Sequence, residues 1–259
     1  MSGMPRPWLE RSTLLCADDF AYNAACSDAI ECLATARKID ATSAMVLSPR
    51  WAHDAPKLQA VRGHLSVGLH LDWTSKYAVQ AGHGMGLAVA MVRAGLGGFG
   101  VDQARKVIAK QMDLFEAQWG GAPDHIDGHQ HVQQFAGIRE ALVQEIAQRY
   151  QATKPWLRIA NPVSESINAK AAVVKAMGAL RLETLARQAG IPCRQYLSGI
   201  YNFKGGAKQY AKLLADWQRS APAGSVIMCH PGLAAEADDS IGPSRVWEYQ
   251  VLAAQGRRI

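Results

Sequence analysis

The chain has 259 residues, 49% hydrophobic, 19% charged and 7% aromatic. That length and balance allow a sizeable core in one large α/β domain or two small ones, and exclude a disordered chain. The net charge is +6, but the densest basic spots (105–106, 204–212 and 257–258) are scattered rather than gathered into a patch, which excludes a nucleic-acid platform. No apolar run approaches the roughly 20 residues of a membrane-spanning helix. The opening residues 1–7 lack a signal-peptide stretch, so a cytoplasmic protein is expected. The five cysteines, at 16, 26, 32, 193 and 229, form no C-x-x-C pair and are expected to be reduced, mostly buried thiols.

Taken in chain order, a strand is predicted at 13–17, followed by a helix over 24–37 and strands at 41–47 and 65–71. Residues 81–100 hold seven glycines and are expected to form an irregular lid or insertion. Within them Gly95-Leu96-Gly97-Gly98-Phe99-Gly100 satisfies G-x-G-x-x-G, which carries a dinucleotide site only when a strand precedes it. A helix over 102–119, a strand at 124–128 and a helix over 137–150 come next. Then follow a strand at 156–160, a helix over 167–189, a strand at 193–197, a helix over 206–217, a strand at 225–229 and a last helix over 243–254. The strands are apolar runs of the kind buried on both faces of a parallel sheet. Repeated strand–helix alternation implies βαβ units in a single domain over 1–259, either a closed barrel or an open doubly wound sheet.

In both architectures chemistry belongs at the carboxyl ends of the strands, and that is where the polar residues fall. Asp18-Asp19 ends the first strand; alone, the pair is explained equally well by helix capping from Asp19 or Asn23. His70 ends the third strand and His230 follows the last, aimed by Pro231-Gly232. In Asp124-His125-Ile126-Asp127-Gly128-His129-Gln130-His131, residues 125, 127, 129 and 131 share one face if the strand continues. Three imidazoles and a carboxylate there suit a metal or a catalytic water far better than a dry core.

The ordered set Ala17-Asp18-Asp19-Phe20, Gly68-Leu69-His70-Leu71, His125 to His131 and Met228-Cys229-His230-Pro231-Gly232 resembles the YdjC family of carbohydrate deacetylases. That family includes chitooligosaccharide and hopanoid-biosynthesis deacetylases. The resemblance runs from about Leu14 to Gly232. It implies a distorted, TIM-like (β/α) barrel of about seven parallel strands, its active site at their C-terminal ends. It also implies a single divalent metal (Zn, Ni, Co or Mg) and removal of acetyl groups from N-acetylated sugars, oligosaccharides or glycoconjugates. Carried onto this sequence, Asp19, His70 and His129 would ligate the metal and Asp18 would be the general base. His230 would stabilise the oxyanion or protonate the leaving amine, and Arg158 would orient Asp18. Asp127 would hold an imidazole, while His125 and His131 would line the site. Two departures stand out: Ala21 where the family commonly has Gly, and Gln133 where it often has His. Oligomeric state is not legible, although proteins of this kind are often homodimers. Two alternatives use the same residues: a non-haem metal oxygenase with an Asp/His/His triad, and a catalytically silent sugar-binding protein of the same fold.

Overall fold

The computed structural model describes residues 7–163 and 169–257. Eight parallel strands form one sheet: β1 (Thr13–Phe20), β2 (Ala41–Ala44), β3 (Ser66–Leu71), β4 (His125–Gly128), β5 (Trp156–Arg158), β6 (Cys193–Arg194), β7 (Tyr196–Ser198) and β8 (Ser225–Cys229). Their order is β6-β5-β4-β3-β2-β1-β8-β7, so the two outermost strands are also neighbours in sequence. The sheet therefore curls into a nearly closed barrel. Leu197 of β7 bridges to Pro162 just beyond β5, drawing the two edges together.

The strand expected at 193–197 is thus two strands, which turns about seven into eight. It breaks at Gln195 because its first half pairs with β5 and its second with β8. The register alternates as buried parallel strands require. Leu15, Ala17, Ile227 and Cys229 join the larger apolar cluster against the helices. Leu14, Cys16, Val226 and Met228 join the smaller one within the barrel, with Trp8 of an opening 3-10 turn.

The helices surround this sheet. Asn23 caps α1 (Ala24–Thr35), its side chain accepting from the Cys26 amide, so capping falls to Asn23 and leaves Asp19 available. Gly120, at φ 74°, ends α5 (Val101–Trp119), and α6 (Ile138–Arg149) packs against it. The helix expected over 167–189 is broken: α7 (Ala169–Ala176) and α8 (Ala179–Gln188) meet at Gly178, whose φ of 118° no continuous helix accommodates. Residues 167–168 of that expectation lie outside the described residues. α9 (Gly206–Ser220) and α10 (Gly242–Ala254) follow, the latter with Pro243 in its first turn.

Three helices were not expected: α2 (Trp51–Gln59), α3 (Lys76–Gln80) and α4 (Leu87–Gly95). The glycine-rich stretch is therefore partly helical, and its G-x-G-x-x-G joins α4 to α5. A helix precedes the motif where a dinucleotide site needs a strand. No helix among the described residues is long and apolar enough to cross a membrane.

Candidate active site

The pairing of β1 with β2 slips between Ala17 and Phe20, and Asp19 takes φ 68°. In a regular strand Asp18 and Asp19 would point to opposite faces; the bulge turns both carboxylates into one site. Both are almost fully buried. Across the sheet, His70 of β3 is in register with Asp127 of β4. The expected shared face holds only as far as residue 127. After Gly128 the chain enters a 3-10 turn, with Gln130 and His131 at φ 53° and 63°. His129 reaches the site from this turn, and His131 lines the cavity above it.

These elements bring together Asp19, His70 and His129, whose candidate ligand atoms lie within 4.8 Å of one another. Asp19 Oδ1 stands 3.1 Å from His129 Nδ1 and 3.5 Å from His70 Nε2. Two other groups among the described residues are as tight, Asp18–His70–Asp127 and Cys16–His125–Asp127. Only the Asp19 group has all three residues on the wall of the cavity, and Asp127 is already engaged. Asp127 accepts from Ser43 Oγ at 2.6 Å and His70 Nδ1 at 2.6 Å, and lies 3.1 Å from Arg158 Nη2. By holding Nδ1, it leaves His70 Nε2 turned towards Asp19.

Arg158 forms a two-pronged bond to Asp18, Nη1 to Oδ1 at 2.7 Å and Nη2 to Oδ2 at 2.8 Å. Burial opposes its charge, but Asp127 and Asp18 outweigh burial and hold its pKa above the usual arginine value. Burial likewise opposes a charged His70, yet Asp127 and then Asp19 push it up to about 10. For Asp19 burial is again the largest effect; Arg245 and His129 overcome it and hold the carboxyl well below its ordinary range. His230, half-buried on the cavity wall, goes the other way: burial takes it down to about 4, so the ring is neutral at pH 7. Its Nδ1 has no hydrogen-bond partner among the described residues.

His125 lies one level lower and off the cavity wall, fully buried and stacked on Trp156 at 4.3 Å. A Cβ at residue 68 would stand 2.3 Å from this ring, so Gly68 provides its room. Ser43 spends its one hydrogen on Asp127, so His125 Nε2–H donates to Ser43 Oγ and Ser66 Oγ donates to His125 Nδ1. Gln133 is buried as well and donates to the Arg158 carbonyl.

Sequence reasoning missed Arg245 and Asp239. Arg245, buried on α10, donates from Nη2 to Asp19 Oδ2 at 2.7 Å and from Nε to Asp239. The place of Arg245 on α10 carries no local signal, since its pairing with Asp19 spans 226 residues. Glu248, one turn later on α10, was missed too; it accepts from the His230 amide and the Tyr201 hydroxyl.

Taken together, Asp18, Asp19, Asp127 and Asp239 set four carboxylates against two guanidiniums, Arg158 and Arg245. With both imidazoles neutral, as metal ligation requires, the formal excess of two negative charges matches one divalent cation, and two imidazoles with one carboxylate are a suitable donor set. Asp19, His70 and His129 thus fit a metal ion. The cavity above them has a volume of about 370 Å³. Tyr22, Lys76 and Ser240 give it a polar side; Leu87, Met91, Val174 and Phe203 give it an apolar one.

Among solved structures, a proposed cellobiose-phosphate cleavage protein of Enterococcus faecalis overlays with a TM-score of 0.70 at 19% identity, covering 94% of this chain and 90% of that one. A peptidoglycan deacetylase of Bacillus subtilis overlays with a TM-score of 0.40 at 13% identity, covering 94% and 82%. No curated protein matches. A model of the YdjC-like protein family matches residues 13–257, nearly the whole chain, and the chain belongs to that family.

Proposed function

We propose that the protein is a metal-dependent carbohydrate N-deacetylase, hydrolysing the acetamide of an N-acetylated sugar, oligosaccharide or glycoconjugate. Asp19, His70 and His129 would hold one divalent ion, Zn, Ni, Co or Mg. The observation that carries the reading is the adjacency of two carboxylates with different partners: Asp19 beside two imidazoles, Asp18 in the fork of Arg158. A bound ion supplies an acidified water and polarises the amide carbonyl. Asp18 takes the water proton, held at the correct angle by Arg158. His70 would offer Nε2 to the ion, because Nδ1 is committed to Asp127. His230, neutral at rest, donates a hydrogen bond from its ring N–H to the developing oxyanion. The carbonyl carbon gains the water oxygen, the C–N bond breaks, and the amine leaves with the proton that Asp18 took from the water.

The same proposal makes residues 81–100 a lid, since Leu87 and Met91 of α4 line the cavity. It also extends to a cytoplasmic location and to a homodimer, which light scattering checks. Acetate release is to be measured over N-acetylated mono- and oligosaccharides and glycolipids, with each metal restored after chelation. Acetate without oxygen consumption supports hydrolysis over an oxygenase. Folded protein that releases no acetate with any metal sinks the proposal and leaves sugar binding as the surviving role.

A further inference from the structure

The metal-ligand carboxylate Asp19 has two oxygens in unlike settings. Oδ1 faces His129 Nδ1 and His70 Nε2, at 3.1 and 3.5 Å. Oδ2 faces the other way and accepts from Arg245 Nη2 at 2.7 Å. Arg245 is itself held on three sides. Its Nε donates to Asp239, in the turn just before α10, the Tyr22 ring lies 5.3 Å from its guanidinium carbon, and its carbonyl accepts from the Gly232 amide at 3.0 Å. Both Arg245 and Asp19 are nearly fully buried, so the pair cannot exchange with solvent partners.

We propose that Arg245 is a positioning residue that restricts Asp19 to a one-oxygen ligand by occupying its second oxygen, with Asp239 anchoring the guanidinium. This rests on the metal-site reading above. A carboxylate free to rotate binds a divalent ion through one oxygen or both, and two would consume a coordination position the reaction needs for water or substrate. An arginine suits this task better than a lysine, because one planar guanidinium bridges Asp239 and Asp19 in fixed geometry, while a point charge on a flexible stem does not. Charge and positioning oppose each other here. A cation beside the site weakens metal binding by repulsion, whereas correct aiming of the ligand strengthens it. A neutral replacement would mix the two effects; Arg245→Lys keeps the charge and removes the fork.

The test uses Co²⁺ as the probe on chelator-stripped full-length protein. Affinity is read by competition with a chromophoric chelator, and coordination by the visible absorption spectrum. Arg245→Lys is expected to weaken Co²⁺ binding by at least about tenfold, the usual scale for losing a partner behind a metal ligand. The visible band is expected to lose intensity as Asp19 turns to two-oxygen binding and the coordination number rises. Affinity within about twofold of wild type, with an unchanged spectrum, overturns the inference. If Arg245→Lys does not fold, Asp239→Asn carries the test through the spectrum alone, since its lost charge weakens binding by itself: a less intense visible band supports the inference and an unchanged band in the folded variant overturns it. Wild type that binds no Co²⁺ overturns the metal-site reading itself, a result distinct from either.

Discussion

Two neighbouring carboxylates serve one site here because the backbone between them leaves the strand, and their second contacts then separate their duties. Asp18 is gripped at both oxygens by Arg158; Asp19 keeps one oxygen facing the imidazoles. Asp18→Asn should therefore leave metal content unchanged while turnover falls at least about 100-fold, the scale of losing a general base. Retained turnover would take that role from Asp18. Ala21, the departure from the family's glycine, sits at φ 69° and is fully buried. Its strain of about 1 kcal/mol and its buried methyl of about 0.8 kcal/mol nearly cancel. Ala21→Gly should thus shift the urea unfolding free energy by less than about 1 kcal/mol, and a larger loss would show that the left-handed turn is not strained. At this scale the sequence is legible where chemistry clusters locally, as at 125–131. It is silent on Arg245 and Asp239, because an arginine on a terminal helix reads as solvated until the fold brings Asp19 to it.

The strands were readable as elements because burial on both faces leaves short apolar runs between polar strand ends. The helices missed have individual causes. Pro56 inside α2 reads as a breaker, α3 has five residues, and α4 is embedded among glycines. The split of β6 from β7 was invisible because it records which neighbour each half pairs with, a property of barrel closure rather than of residues 193–198. α4 is the element with the clearest functional consequence. Only Ala90 of it is buried, Leu87 and Met91 face the cavity, and Val89 and Val92 are about 60% exposed. If residues 81–100 act as the proposed lid, this lightly anchored, glycine-flanked helix is the part that would close over the mouth. Removing its cavity contacts in Leu87→Ala/Met91→Ala should raise KM roughly tenfold, from about 1–2 kcal/mol of lost apolar contact, with kcat within about twofold. An unchanged KM would remove α4 from substrate binding.

Across the whole molecule, a chain of net charge +6 encloses a cluster with excess negative charge, and its histidines are divided by their surroundings. His70, raised to about 10, is stabilising below its unfolded pKa of 6.5 and loses that contribution only as pH rises through 10. His125 and His230, lowered to about 4, behave oppositely. The unfolded chain binds protons on both as pH falls through 6.5 while the folded chain resists until about 4. Their contribution is complete above pH 6.5 and is lost on the way down. For the fully buried His125 it amounts to about 3 kcal/mol, at 1.36 kcal/mol per pKa unit. Glu248, which burial raises to about 7, offsets one of the two rings in this window, so the metal-free protein should still lose stability between pH 6.5 and about pH 4, seen as a falling urea midpoint. His125→Gln removes one of the two titrating rings and should flatten that slope, although the variant starts from lower stability because the Trp156 stack is gone. A slope in His125→Gln as steep as wild type would mean that acid sensitivity in this range does not come from His125.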